Sequence, residues 1–135
     1  MATSKVKYLG ELRTICVHLK SGSEIITDAP TDNRGKGEAF SPTDTVATAL
    51  ASCMISIMGI KAQDHNWNIE GTNAMVTKIM TSNPRAIGEI QIKIEVIGVK
   101  DDEKAKTILK NAAIHCPVAK SLSDNVKQVV EFDWV

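Results

Sequence analysis

Two of the three cysteines in this chain sit where a thiol could do chemistry. Cys53 lies in "ATALASCMISIMGIKA", among alanines, methionines and isoleucines, and Cys116 lies in "HCPVAKSL". The thiolate, not the thiol, is the nucleophile, so the surroundings that set each pKa decide between reagent and packing residue. Pro117 suits the first turn of a short helix, which puts Cys116 at or next to the N-cap, where free amides and a partial positive charge favour a thiolate. Local sequence therefore makes Cys116 the more activated thiol, with a small residue at a tight helix-to-helix turn as the plain alternative. Cys53 is about ten residues inside a helix, beyond the first turn to which the helix-end effect is confined. Apolar surroundings alone would raise its pKa, and packing is a common role for free cysteine. Cys16 alternates with Val17 and reads as a strand residue.

Histidines offer other chemistries. His115 adjoins Cys116 and His65 ends the central helix, so a Cys-His nucleophile-base pair for acyl transfer is one option. Adjacent residues seldom point at each other, and no oxyanion-hole signature is visible. A zinc site from Cys16, His18, His115 and Cys116 lacks the usual ligand spacings. Neither a metal nor a cofactor is expected.

The elements that must position these residues follow from periodicity. "RTICVHLKSGSEIITDA" alternates at Ile15, Val17 and Leu19, turns at Ser21-Gly22 and resumes at Ile25 and Ile26, the pattern of a hairpin. "APTDNRGKGEAF", residues 29 to 40, is an aperiodic loop holding Arg34, Lys36 and Glu38, of a length at which loops tend to be functional. Ser41 as N-cap, Pro42 at the first helical position and Asp44 at N3 then start a long helix over 42 to 64. Val46, Leu50, Cys53, Ile57 and Ile60 form its apolar stripe, widened by Ala49, Met54 and Met58, and predict a largely buried helix. "WNIEGTNAMVTKIM" is a strand, "TSNPRAIG" a turn, and "EIQIKIEVIGV" a half-buried strand with Ile90, Ile92, Ile94 and Val96 on one face. Asp101 caps a second helix carrying Ala105, Ile108, Leu109 and Ala112, and Val130, Phe132 and Trp134 alternate in a final strand. This order is α+β, not doubly wound.

Composition bounds the rest. A chain of 135 residues with 43% apolar content suits one domain, 1–135, built on one core. Sixteen basic residues balance sixteen acidic ones, so no global field draws the chain to nucleic acid or an anionic membrane. Ser52, Ser56 and Lys61 interrupt the central helix, and "MATSKVKYLG" lacks a signal-peptide hydrophobic region, so no membrane span and a cytoplasmic location are expected. Three cysteines there are not a disulfide framework.

"FSPTDTVATALASCM" followed downstream by "CPVAKSL" resembles the paired-cysteine signature of the OsmC/Ohr family, the osmotically inducible and organic-hydroperoxide-resistance proteins. The likeness extends along essentially the whole chain. It implies antiparallel sheets around a long buried central helix, in an intertwined homodimer whose interface contains the N-terminal strands of both chains. It also implies a thiol-dependent peroxidase acting on a hydroperoxide. Cys53 would be the peroxidatic cysteine that becomes a sulfenic acid, and Cys116 the resolving cysteine that closes a disulfide. An external dithiol, lipoyl or similar, would reopen it. In the family an arginine of the N-terminal β region stabilises the thiolate; Arg13 is the best positional match and Arg34 the alternative. That arginine is held by an acidic residue directly after the proline of the cysteine helix. Here Thr43 occupies that place and Asp44 follows one position on, roughly opposite Cys53 on a helix turning about 100° per residue. Asp44 thus stands either as the family's acid displaced or as a capping residue, and the departure marks a divergent member. The reading from another class is a non-catalytic module that keeps the fold and binds a small apolar or electrophilic ligand.

Overall fold

The computed structural model describes all residues, Met1–Val135. Two compact units divide it, residues 1–46 and 47–135.

In the first unit, β1 (Ser4–Gly10), β2 (Arg13–His18) and β3 (Glu24–Asp28) form an antiparallel sheet in that order. The hairpin is where its alternation places it, but its register differs. A two-residue turn at Ser21-Gly22 would set Arg13 opposite Pro30, whereas the observed pairing sets Arg13 opposite Asp28 and Cys16 opposite Ile25. The chain closes earlier, with the His18 N–H donating to Ser23 O at 2.8 Å and the Gly22 N–H to His18 O at 2.7 Å. Strand β1 is an addition to the sequence reading. It joins β2 through Glu11 and Leu12, both at positive φ (53° and 64°), the backbone that matches the twist of paired strands. Much of this thin sheet is exposed, including Val6, Tyr8, Ile25 and Ile26.

The loop after β3 is compact. A 3-10 turn spans Thr31–Asn33, and Gly35 packs so closely that a Cβ there would fall 1.7 Å from the Ala29 carbonyl oxygen. The Gly35 N–H donates to Pro30 O and the Asp28 N–H to Phe40 O, so the loop's ends are tied.

Helix α1 (Pro42–Asp64) starts as its signals predict, with Ser41 and Asp44 exchanging capping hydrogen bonds. Its buried stripe is offset from the expected one. Ala47, Leu50, Ala51, Met54, Met58 and Ala62 are buried, while Val46 and Ile60 are exposed, because the helix is apolar on several sides and periodicity alone cannot choose the inward one. The interruptions at Ser52, Ser56 and Lys61 also count for less than expected: by length and composition α1 is long and apolar enough to cross a bilayer, as core helices can be.

The second unit places β4 (Asn73–Thr81), β5 (Ala86–Val96) and β6 (Lys127–Trp134) in one sheet, with α2 (Glu103–Ile114) and α3 (Pro117–Ser121) between β5 and β6. Pairing is antiparallel for β4 with β5 and parallel for β5 with β6, a departure from wholly antiparallel sheets. The helical crossover through α2 and α3 is the long connection that a parallel neighbour requires. Ile90, Ile92, Ile94 and Val96 are buried as their alternation predicts, in one cluster with Leu50, Met54, Met58 and Leu109. Asp102, rather than Asp101, caps α2, its carboxylate accepting the Ala105 N–H at 3.0 Å. Leu109 has no exposed surface in this cluster. Leu109→Ala is expected to lower the unfolding free energy by about 2–5 kcal/mol in urea titrations, against less than about 0.5 kcal/mol for the surface change Lys104→Ala.

Candidate active site

Helix α1 brings Cys53 to the border of its buried stripe, beside Met54, where the thiol is half-buried. Cys116 arrives from α2, which ends at His115, and serves as the N-cap of α3 with none of its surface exposed. Its Sγ accepts the Ala119 N–H at 3.4 Å, while its own N–H donates to Ala113 O at 3.3 Å. The fold thereby brings together two cysteines far apart in sequence, with their side chains in hydrogen-bond contact.

Burial reverses the local reading of Cys116. Withdrawal from water pushes its thiol up, the adjacent Cys53 side chain pushes the same way, and the Ala119 and Val118 amides only partly oppose them. The helix-end amides that promised a thiolate are present, but desolvation outweighs them. Cys116 is therefore a thiol held protonated at neutral pH beside a more accessible partner.

Arg13 at the start of β2 is fixed by a two-point ion pair with Asp28, Nε to Oδ1 at 2.7 Å and Nη2 to Oδ2 at 2.8 Å. Asp28 is 1% exposed and also accepts the Glu38 N–H at 3.1 Å. The Glu38 carboxylate lies 3.8 Å from Arg13 Nη2. These contacts hold the Asp28 carboxyl below its usual range, with the Arg13 hydrogen bond the largest cause, and raise Arg13 still higher. Asp28 was missed by sequence reading because the assumed turn put Pro30 in its place. The signal that finds it is the hairpin register.

The remaining candidates take other roles. Asp44 Oδ2 accepts the Ser41 N–H at 3.0 Å, and Ser41 Oγ accepts the Asp44 N–H at 3.0 Å, a reciprocal helix cap. Arg34 is exposed, in left-handed backbone after the 3-10 turn. His115 turns back to the carbonyl of Asn111 at 2.9 Å, and His65 bonds Lys61 O and stacks on Trp67, so neither forms the nucleophile-base pair. No group of three or more His, Cys, Asp or Glu side chains converges as a metal site, and the four-residue zinc set is not assembled. Cys16 stays a strand residue near Thr14 Oγ1.

The sequence model of the OsmC-like protein family matches residues 35–131. This chain belongs to the OsmC-like protein family. The crystal structure of a Psychrobacter arcticus protein named for osmotic stress induction and a detoxification response is 54% identical, over 98% of this chain and 96% of that one, with a TM-score of 0.93. An OsmC-like protein of Mycoplasma pneumoniae shares the fold at 18% identity, 99% and 98% coverage and a TM-score of 0.79. So does an organic hydroperoxide resistance protein OsmC of Legionella pneumophila, at 16% identity, 98% coverage of each chain and a TM-score of 0.72. No curated protein matches the sequence. The OsmC-like fold expected from the paired cysteines is thus the fold of this chain, with mixed α+β layers and two three-stranded sheets.

The raised Cys116 value sets a pH dependence for folding. A thiol harder to ionise folded than unfolded contributes stability that is complete below about pH 8.5, the unfolded thiol's range, and is lost as pH rises through the folded value. Under reducing conditions, the denaturation midpoint of this OsmC-like protein should fall between pH 7 and pH 9.5, and fall less in Cys116→Ala.

Proposed function

We propose that this OsmC-like protein is a thiol-dependent peroxidase reducing organic or inorganic hydroperoxides, with Cys53 peroxidatic and Cys116 resolving. The observation that carries the reading is the contact between a half-buried thiol and a wholly buried one. The family's hydroperoxide resistance members and the stress-response name of the 54% identical relative support it.

In the first step the Cys53 thiolate attacks a peroxide oxygen. The S–O bond forms, the O–O bond breaks, and the alkoxide leaves as an alcohol after taking a proton. Two electrons pass from sulfur to the peroxide, and Cys53 becomes a sulfenic acid. In the second step the Cys116 sulfur attacks the Cys53 sulfur, the S–O bond breaks, and the hydroxyl departs as water with the Cys116 proton. A disulfide remains, and an external dithiol, lipoyl or similar, reduces it through a mixed disulfide. Burial of Cys116 suits this order, because a protonated neighbour does not compete for peroxide, and dry surroundings shield the sulfenic acid from further oxidation. Arg13 is assigned as the cation that favours the Cys53 thiolate, and Asp44 as the cap that fixes the start of the cysteine helix. Three free thiols suit a reducing compartment, which supports a cytoplasmic location.

Peroxide consumption with dihydrolipoamide as reductant should be abolished in Cys53→Ser, and equal rates in the two proteins would overturn the assignment. Mass spectrometry after one equivalent of peroxide should show a Cys53–Cys116 disulfide. Thiols that stay unmodified would favour a small-ligand binding module instead.

The exposed apolar residues of the N-terminal sheet support the family's homodimer, since Val6, Tyr8, Leu12, Ile25 and Ile26 otherwise face water. Light scattering should return twice the mass of one chain.

A further inference from the structure

We propose that Asp28 is the positioning residue for Arg13, taking the part that the family gives to an acid directly after the helix proline, where this chain has Thr43. The inference rests on the peroxidase reading for the role of Arg13.

The first observation is the ion pair itself. Nε and Nη2 of Arg13 meet the two oxygens of one carboxylate at 2.7 and 2.8 Å, a fork that fixes the plane and direction of the guanidinium as a single contact cannot. Asp28 is 1% exposed, and a carboxylate so enclosed must be paired and hydrogen-bonded to persist. Its Oδ2 also accepts the Glu38 N–H, which holds the acid as the acid holds the arginine.

A second observation is the backbone around both partners. Arg13 and Asp28 are directly opposite in the β2–β3 register, and each adjoins a restrained segment. Immediately before Arg13 come Glu11 and Leu12 in left-handed backbone, a conformation costly for residues with side chains. Immediately after Asp28, the Ala29 N–H donates to Leu12 O at 3.0 Å, and Lys36 pairs with Glu11 at 2.9 Å. The β1–β2 turn and the loop after β3 are thus strapped together on either side of the ion pair. Strain retained beside such a clamp is the pattern of a preorganised site.

The third observation concerns the rival acid. Asp44 spends Oδ2 on the Ser41 N–H and its own N–H on Ser41 Oγ, the reciprocal bonds of a helix start. The family acid's two duties are divided here, with Asp44 capping the helix and Asp28 holding the arginine.

The test reads Cys53 itself. Iodoacetamide labelling of the Cys53 peptide across pH, followed by mass spectrometry, reports thiolate formation without requiring turnover. In Asp28→Asn the labelling midpoint should rise by about one pH unit, and peroxide kcat/KM at pH 7 should fall about tenfold. Asp28→Asn should add no further shift in an Arg13→Gln background, since the acid acts through the arginine. Arg13→Lys keeps the charge but cannot take the fork, so it should raise the midpoint too; it poses the same question if Asp28→Asn does not fold. An unchanged midpoint in folded Asp28→Asn, or in Arg13→Lys, would overturn the inference, as would the same shift in Asp44→Asn in place of Asp28→Asn. Peroxidase activity that vanishes in Cys53→Ser but is indifferent to Asp28 would sink this inference alone. A labelling shift in a protein without peroxidase activity would sink the peroxidase reading and leave the clamp.

Discussion

The burial of one stripe of α1 in the cluster built on β5 governs the cysteine chemistry of this chain. Leu50, Met54 and Met58 are wholly buried with Ile90, Ile92 and Ile94, and each such side chain is worth about 1.5–3 kcal/mol of transfer from water. Rotating the helix would expose several of them at once, so its rotation is set by packing and not by anything at the cysteine. Cys53, next to Met54, is left at the stripe's edge, half in and half out. The same cluster includes Ala113 and Cys116 at the end of α2, which is how the second thiol reaches the first.

The contest at Cys116 shows why a motif's local electrostatics can mislead. The amides at the start of α3 do favour negative charge on sulfur, and one of them bonds it directly. A wholly buried sulfur has nonetheless lost the water that would stabilise its anion, and the larger effect wins. The outcome suits a resolving thiol, whose task begins only after its neighbour has been oxidised. The N-terminal unit solves a different problem. It has little apolar core of its own, with most of β1 exposed, and it holds its functional candidate by charge. Arg13, Asp28, Glu38, Lys36 and Glu11 form ion pairs that link the hairpin to the loop after it.

Much of this arrangement was readable from the residues. The Ser-Pro-x-Asp start of α1, the alternation of Ile90, Ile92, Ile94 and Val96, and the Cys-Pro at the head of α3 are local signals, decided by neighbours three or four positions away. The pairing of "FSPTDTVATALASCM" with "CPVAKSL" was enough to point to the family. Less readable were the features set by contacts across the chain. The inward face of α1 was misplaced because apolar residues lie on several sides of it. The parallel setting of β6 follows from its crossover, which periodicity does not encode. Asp28 was passed over because the closing of a hairpin depends on the turn actually adopted, and a shift of two positions replaces Asp28 with Pro30 opposite Arg13.

By itself, the sequence determined which residues could react and which elements would carry them, since helix caps, strand alternation and residue type act over short distances. Tertiary structure alone decided that Cys53 and Cys116 would be neighbours, that Cys116 would stay protonated, and that Asp28 would grip Arg13. Those outcomes depend on desolvation and strand register, which arise only when distant segments pack, and no spacing within one segment specifies them.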